Sequence, residues 1–276
     1  MDKKLLAKVA VNIRKNAVSA VHSAKSGHPG GSLSIADILA YLYFEKMNVD
    51  PKNPKWEDRD RLVLSKGHTS PAYYSALAEK GFFDKALLTT FRKPDSILQG
   101  HPDMKHIPGV DMSTGSLGQG LSAACGMALS AKISGKGYKV YAILGDGESE
   151  EGQIWEAAMF AAHYGLSNLC IFVDSNGLQI DGPVTEVMNP RPFDKKFESF
   201  GWNVVCIDGH DFDQIDSAVK AADKSDKPTA IICSTIKGKG VSYMENNVSW
   251  HGSAPNDEQF NIALEDLKKI EDQIEA

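Results

Sequence analysis

Residues 139–177 read "KVYAILGDGESEEGQIWEAAMFAAHYGLSNLCIFVDSNG". Two short apolar runs, "KVYAIL" and "LCIFVD", flank "QIWEAAMFAAHYG", whose apolar residues recur at helical spacing. Strands that are apolar without alternation are buried on both faces, as parallel sheets are. The unit is therefore strand, helix, parallel strand. Downstream the pattern continues with strand "WNVVCID" after a long loop, helix "FDQIDSAVKAA" and strand "TAIICST". Another long loop then leads to the charged helix "DEQFNIALEDLKKIEDQIEA". This order predicts an α/β fold, a doubly wound and mainly parallel sheet flanked by helices.

Upstream, Leu5, Leu6, Val9, Ile13, Ala17 and Val21 step at helical spacing, and the glycine-rich loop "SGHPGGSLS" follows. Ser34 is the expected N-cap of a helix over "IADILAYLYFEKMN". "RLVLSKGH" predicts a short buried strand, "SPAYYSALAEKG" a helix closed by Gly81, and "FDKALLTTF" a short helix. Residues 93–113 form a long excursion, and "STGSLGQG" feeds the helix "LSAACGMALSAKI". No repeat, low-complexity tract or linker interrupts the 276 residues, so one domain over 1–276 is expected.

Composition narrows the function. A net charge of -6 with no basic block argues against nucleic acid. No run approaches the roughly 18 apolar residues of a membrane span. Lys8 and Arg14 break the first apolar stretch, so it does not read as a secretory signal. Cys125, Cys170, Cys206 and Cys233 are scattered with no CxxC pair, as reduced thiols of a cytoplasmic protein would be.

Ligands of such sheets sit beyond the carboxyl ends of the strands. "LGDGES" and "DSNGLQIDG" fall there. Asp146 and Asn176 each end a strand and can share one crevice, a carboxylate and an amide oxygen suited to a hard divalent cation such as magnesium. Gly145 and Gly147 let the backbone approach a diphosphate. Asp146, Glu148, Glu150 and Glu151 crowd one turn, which a bound cation would explain in part. Five of the eight histidines touch glycine: His28, His68, His101, His210 and His251. His210 directly precedes a helix and is expected to serve a turn or cap, while His22 and His163 fall within helices and are expected to pack or face solvent. His106 lies in the long excursion. His28, His68, His101 and His251 suggest a site that works on hydroxyls and protons.

Taken in order, "AKSGHPG", "LSKGH", "GHPD", "STGSLGQG", "GDG…DSNG" and "HGSAP" resemble the N-terminal, diphosphate-binding part of transketolase, a thiamine diphosphate enzyme. The resemblance covers nearly the whole chain. It implies that Asp146, Asn176 and the Leu178 carbonyl hold magnesium or another divalent cation such as calcium. Gly147 would lie against the diphosphate with His68 nearby, and Gly115 and Leu117 would border the pyrimidine. His101 would bind the donor's terminal hydroxyl, and His28 and His251 would handle sugar hydroxyls and their protons. Glu151 and Glu156 would link paired cofactor sites in a dimer.

Two departures stand out: Lys66 replaces a frequent Asn, and "HGSAP" carries one residue more than the common "HGAP". A full-length transketolase also continues into a pyrimidine-binding domain that supplies the activating glutamate. The chain therefore reads as one subunit of a split transketolase, inactive without a partner carrying that domain and expected as two copies of each chain. Subunits of a deoxyxylulose phosphate synthase-like or 2-oxoacid dehydrogenase alpha-like enzyme, and a non-catalytic cofactor-binding subunit, stay open as alternatives. A haloacid-dehalogenase-type phosphatase is rejected, because its earlier DxDx[TV] strand end is missing. The sugar remains open among pentose phosphates, apulose phosphate and sulfosugars.

Overall fold

The computed structural model describes residues Met1–Ala276. Helix α1 (Lys3–Ala24) starts at Asp2, whose side chain accepts from the Leu5 amide at 3.0 Å. Helices α2 (Pro29–Ser34) and α3 (Ala36–Tyr41) follow, then a π-helical turn over Leu42–Lys46. Ser34 is thus not the expected N-cap. It is the last residue of α2, and its hydroxyl is spent on Asp174 at 2.7 Å, a partner that only the folded sheet provides.

Strand β1 (Arg61–Leu64) and α4 (Ser70–Lys80) come next, with Gly81 closing α4 in the left-handed region as expected. The short helix over Lys85–Thr90 is 3₁₀. Then come α5 (Gln119–Ile133), β2 (Val140–Gly145), α6 (Gly152–His163) and β3 (Leu169–Ser175). The segment expected as a plain loop after β3 is structured. It holds a two-stranded hairpin, β4 (Leu178–Gln179) with β5 (Gly182–Pro183), then α7 (Val184–Val187) and α8 (Phe193–Ser199). Phe193 and Phe197, one helical turn apart, give α8 its buried face. Strand β6 (Asn203–Asp208), α9 (Phe212–Lys224), β7 (Thr229–Ser234) and α10 (Asp257–Glu275) complete the chain.

The five long strands form one all-parallel sheet in the order β1-β2-β3-β7-β6. Alternation along each strand feeds two cores. Tyr141 and Ile143 of β2 join the cluster built with α1, α3, α4 and α9. Val140, Ala142 and Leu144 face the cluster built with α5, α6 and α8. Both faces are covered, so polar chemistry is left to the strand ends. No helix is long and apolar enough to cross a membrane.

Candidate active site

Every parallel strand delivers its carboxyl end to the same rim. β2 ends at Gly145 beside Asp174 of β3, and Asp174 lies beside Cys233 of β7. The chain then runs on to Lys66 from β1, Asp146 from β2, Asn176 from β3 and Lys237 from β7, and all four line one cavity of about 350 Å³. His28, His68, Gly115, Leu117, Gly145, Gly147, Glu151, Leu178 and His251 line it too. Eleven of the twelve residues expected in the site are thereby brought together.

The twelfth, His101, is not in that lining. Its exposed side chain packs against Gly115, which is. At Gly115 the backbone has φ +150°, and a Cβ would sit 3.1 Å from the His101 ring. Glycine is required at that position both by φ and by the ring. His22 bonds Asp257 at 2.8 Å and stacks on Phe260, His163 is exposed at the end of α6, and His106 bonds Asp103 at 2.6 Å.

Asp174 is the hub beneath the cavity and is fully buried. It accepts from Ser34 Oγ at 2.7 Å and Asn176 Nδ2 at 2.9 Å, and from Lys66 Nζ and Thr235 Oγ1. Burial alone would raise its pKa, but the Lys66 charge and these donors hold it below the usual carboxylate range. The lysine standing where Asn was expected is thus one half of a buried ion pair. Its ammonium also donates to the Gly31 carbonyl at 3.1 Å.

Asp146 sits above this pair. Its two oxygens accept from the Gly147 amide at 2.9 Å and the Gly177 amide at 2.6 Å. Burial, then repulsion from Asp174, pushes its pKa up to about 6 against those amides. A bound cation would remove that penalty. The acidic turn divides its work: Glu148 is buried and accepts from Ser65 Oγ at 2.5 Å and from the Gly118 and Gly145 amides at 3.0 Å each. Glu150 holds Gln179 of the hairpin at 2.7 Å. Glu151 and Glu156 are exposed on α6 or at its start.

Lys237 is the residue that sequence reasoning missed. It is 2% exposed and forms no salt bridge with any carboxylate. Its ammonium donates to the Leu178 carbonyl at 3.1 Å and to His251 Nδ1 at 2.9 Å. Burial, then the Lys66 charge, lowers its pKa to about 8, with Asp146 and Asp174 opposing. An unpaired buried ammonium costs free energy unless an anion joins it. Only its position after a strand, in "STIKGKG", hints at this role.

Three histidine rings stand over these charges, with centroids 5.1 Å (His28–His68), 5.5 Å (His28–His251) and 5.2 Å (His68–His251) apart. The added residue in "HGSAP" therefore does not displace His251 from the site. Burial first, then nearby cations, pushes His28 down to about 4, His251 to about 3 and His68 well below its usual value. All three are neutral at pH 7. His28 Nδ1 is buried without a hydrogen-bond partner. The segment carrying His251 is folded onto the site. Gly238 and Gly240 form turns at φ +80° and +89°, and a Cβ on Gly238 would meet the Met244 carbonyl at 2.2 Å.

Comparison with known proteins agrees with this geometry. A family model described as transketolase, thiamine diphosphate binding domain, matches residues 6–268. The chain is 49% identical over 258 residues to a 6-deoxy-6-sulfo-D-fructose transketolase subunit of Clostridium sp. (strain MSTE9), covering 93% of this chain and 94% of that one. It is 42% identical over 263 residues to an apulose-4-phosphate transketolase subunit of Phocaeicola vulgatus, covering 95% and 93%. Human transketolase is 41% identical over 97% of this chain, which spans 42% of the human protein. The crystal structure of Campylobacter jejuni transketolase superposes with a TM-score of 0.92 at 34% identity, covering 99% of this chain and 46% of that one. The chain thus spans nearly all of the two subunit relatives and less than half of the human and Campylobacter enzymes. With the matched residues running through every segment that lines the cavity, the chain belongs to the transketolase family and forms its thiamine diphosphate-binding domain.

Proposed function

We propose that the chain is the diphosphate-binding subunit of a two-chain transketolase, which moves a two-carbon glycolaldehyde unit from a ketose to an aldose. The observation that carries this reading is the pairing of a buried, carboxylate-free Lys237 with hard oxygen donors, directly beneath three neutral histidines.

The residues fit thiamine diphosphate and a divalent cation. The Asp146 carboxylate, the Asn176 amide oxygen and the Leu178 carbonyl would hold magnesium or calcium, which favour such oxygens. That the Leu178 carbonyl already accepts an ammonium marks it as able to face a cation. Gly145, Gly147, His68 and Lys237 would border the diphosphate, and Gly115 and Leu117 the pyrimidine. When bound, thiamine diphosphate supplies the electron sink for breaking and remaking the carbon–carbon bond. The chain's own part is placement and proton handling. An ammonium can only donate, so His251 accepts through Nδ1 and keeps its proton on Nε2. That N–H is available to a sugar oxygen. His28, with Nδ1 bare of protein partners, takes or gives a second proton. His101, at the rim through Gly115, would meet the donor's terminal hydroxyl.

The site is completed by a separate subunit carrying the pyrimidine-binding domain, in an assembly with two copies of each chain. Support comes from the exposed apolar side chains Met159 (51%), Phe160 (37%) and Tyr164 (44%) on and just beyond α6, beside Glu156. Glu151 and Glu156 would link the paired sites. Residues 1–276 act as a single domain in a cytoplasmic enzyme. The donor is a ketose phosphate or a related sugar, since the subunit relatives are named for a sulfosugar and for apulose 4-phosphate.

The test is reconstitution. The purified chain, mixed with a pyrimidine-domain subunit from the same genome, thiamine diphosphate and magnesium, should transfer the two-carbon unit between sugars. Each component alone should be inactive. Full turnover by this chain by itself would refute the two-chain reading.

A further inference from the structure

We propose that His210 is a positioning residue that sets the reach of Lys237 into the site, through a relay fixed in one tautomer. Lys237 is held between two backbone tethers. On one side the Gly238 amide donates to the Gly30 carbonyl of α2 at 2.9 Å. On the other, the Ile236 amide donates to His210 Nε2 at 2.9 Å. The second tether is unusual, because a side chain 26 residues away replaces a backbone acceptor.

Hydrogen-bond direction fixes the state of the ring. The Ile236 amide can only donate, so Nε2 must be bare. Nδ1 then carries the proton and donates it to Asp37 Oδ2 at 2.7 Å. Asp37 of α3 is buried and ionised, gripped by Arg14 of α1, whose Nη1 lies 3.2 Å from Oδ1 and whose Nη2 bonds Oδ2. Arg14 Nε in turn donates to the Leu33 carbonyl of α2 at 3.2 Å. The relay therefore runs from α2, which starts just after His28, through Arg14, Asp37 and His210 to the residue before Lys237. It joins both walls of the site from behind. The other charged groups facing His210 are Asp208, which accepts the His210 amide at 2.8 Å, and Lys239, which shares its crevice.

His210 thus holds Lys237 in place through an Nε2 that is free to accept from the Ile236 amide. This inference rests on the diphosphate-binding reading for its purpose, but the tether can be tested separately.

Two measurements on the full chain decide it, each on wild type, His210→Ala and His210→Gln. The first is amide exchange over residues 235–241 at neutral pH, corrected for intrinsic rates. The second is calorimetric binding of inorganic diphosphate with magnesium. His210→Ala should raise exchange at Ile236 roughly 10- to 100-fold, the effect of one lost buried hydrogen bond, and weaken diphosphate by about tenfold. His210→Gln keeps one donor and one acceptor, so it should stay within about threefold of wild type in both. Unchanged exchange in His210→Ala, or a Gln variant as exposed as the Ala variant, overturns the relay. Lost protection with unchanged diphosphate affinity overturns its service to the site. If wild type itself binds no diphosphate, the cofactor reading fails, while the exchange data still judge the tether.

Discussion

Lys237 Nζ reaches His251 Nδ1 at 2.9 Å and the Leu178 carbonyl at 3.1 Å, so one ammonium touches both a backbone oxygen and a histidine of the same cavity. Charge placement and proton placement are therefore coupled through a single side chain.

Lys237→Met should break both functions. Thiamine diphosphate affinity of the assembled enzyme should fall roughly 10- to 100-fold, the worth of charge-assisted hydrogen bonds. At saturating cofactor kcat should also drop, because His251 loses the partner that fixes its tautomer. Calorimetry paired with steady-state kinetics checks this, and unchanged affinity would remove Lys237 from the diphosphate site.

His251→Ala should separate the two. It should lower kcat/KM for the ketose by roughly 10²-fold, the lower range for a lost acid–base group. Cofactor affinity should change far less, since Asp146, Asn176 and Lys237 remain. A mutant that lost cofactor yet turned over normally once saturated would make His251 a diphosphate ligand instead.

Asp146→Ala should abolish metal-dependent cofactor binding and Asn176→Ala should weaken it severely, because in the proposed cation site they would supply two of the three hard oxygens. Titration of magnesium and thiamine diphosphate into the assembled variants is the measurement. Tight binding by Asp146→Ala would sink the metal assignment.

Asp37 predicts a pH signature of stability. Burial alone would raise its pKa, but Arg14 and His210 pull it down to about 2 from an ordinary 3.8. A depressed carboxylate stabilises the fold above its unfolded pKa, and that contribution is lost as pH falls through the folded one. The advantage of wild type over Asp37→Asn should therefore be full above pH 3.8 and shrink between 3.8 and about 2, by on the order of 2 kcal/mol. Denaturant unfolding at several pH values measures it. A gap independent of pH would mean that Asp37 acts by shape alone.

The sheet and its order of elements are legible because buried parallel strands leave unbroken apolar runs, as in "KVYAIL" and "LCIFVD". That Asp146 and Asn176 line one cavity is legible because both follow strand ends, where this architecture opens its crevice. The lysines are not. Lysine is solvated in most settings, and only the arrival of β1 and β7 beside the strands between them buries Lys66 and Lys237. His210 reads as a turn residue because its partners, Asp37 and Ile236, are distant in sequence. Helix α8 reads as loop because seven residues with two buried phenylalanines are too few to show a period.

Strand β7 lies between β3 and β6, although it is the last of the five to be synthesised. Until residues 229–234 have left the ribosome, β3 and β6 each present an unsatisfied edge and cannot be joined as in the finished sheet. The nascent chain thus passes through a stage with a gap in its middle, the kind of open edge that recruits other chains. Insertion of β7 closes the gap, after which α10 can lock onto α1 through Lys8–Glu275 and Lys15–Glu271, both at 2.8 Å. A translational stall or a proteolytic cut before Thr229 would leave that gap unfilled, so chaperone demand should be concentrated in the interval after β6 is made and before β7 emerges.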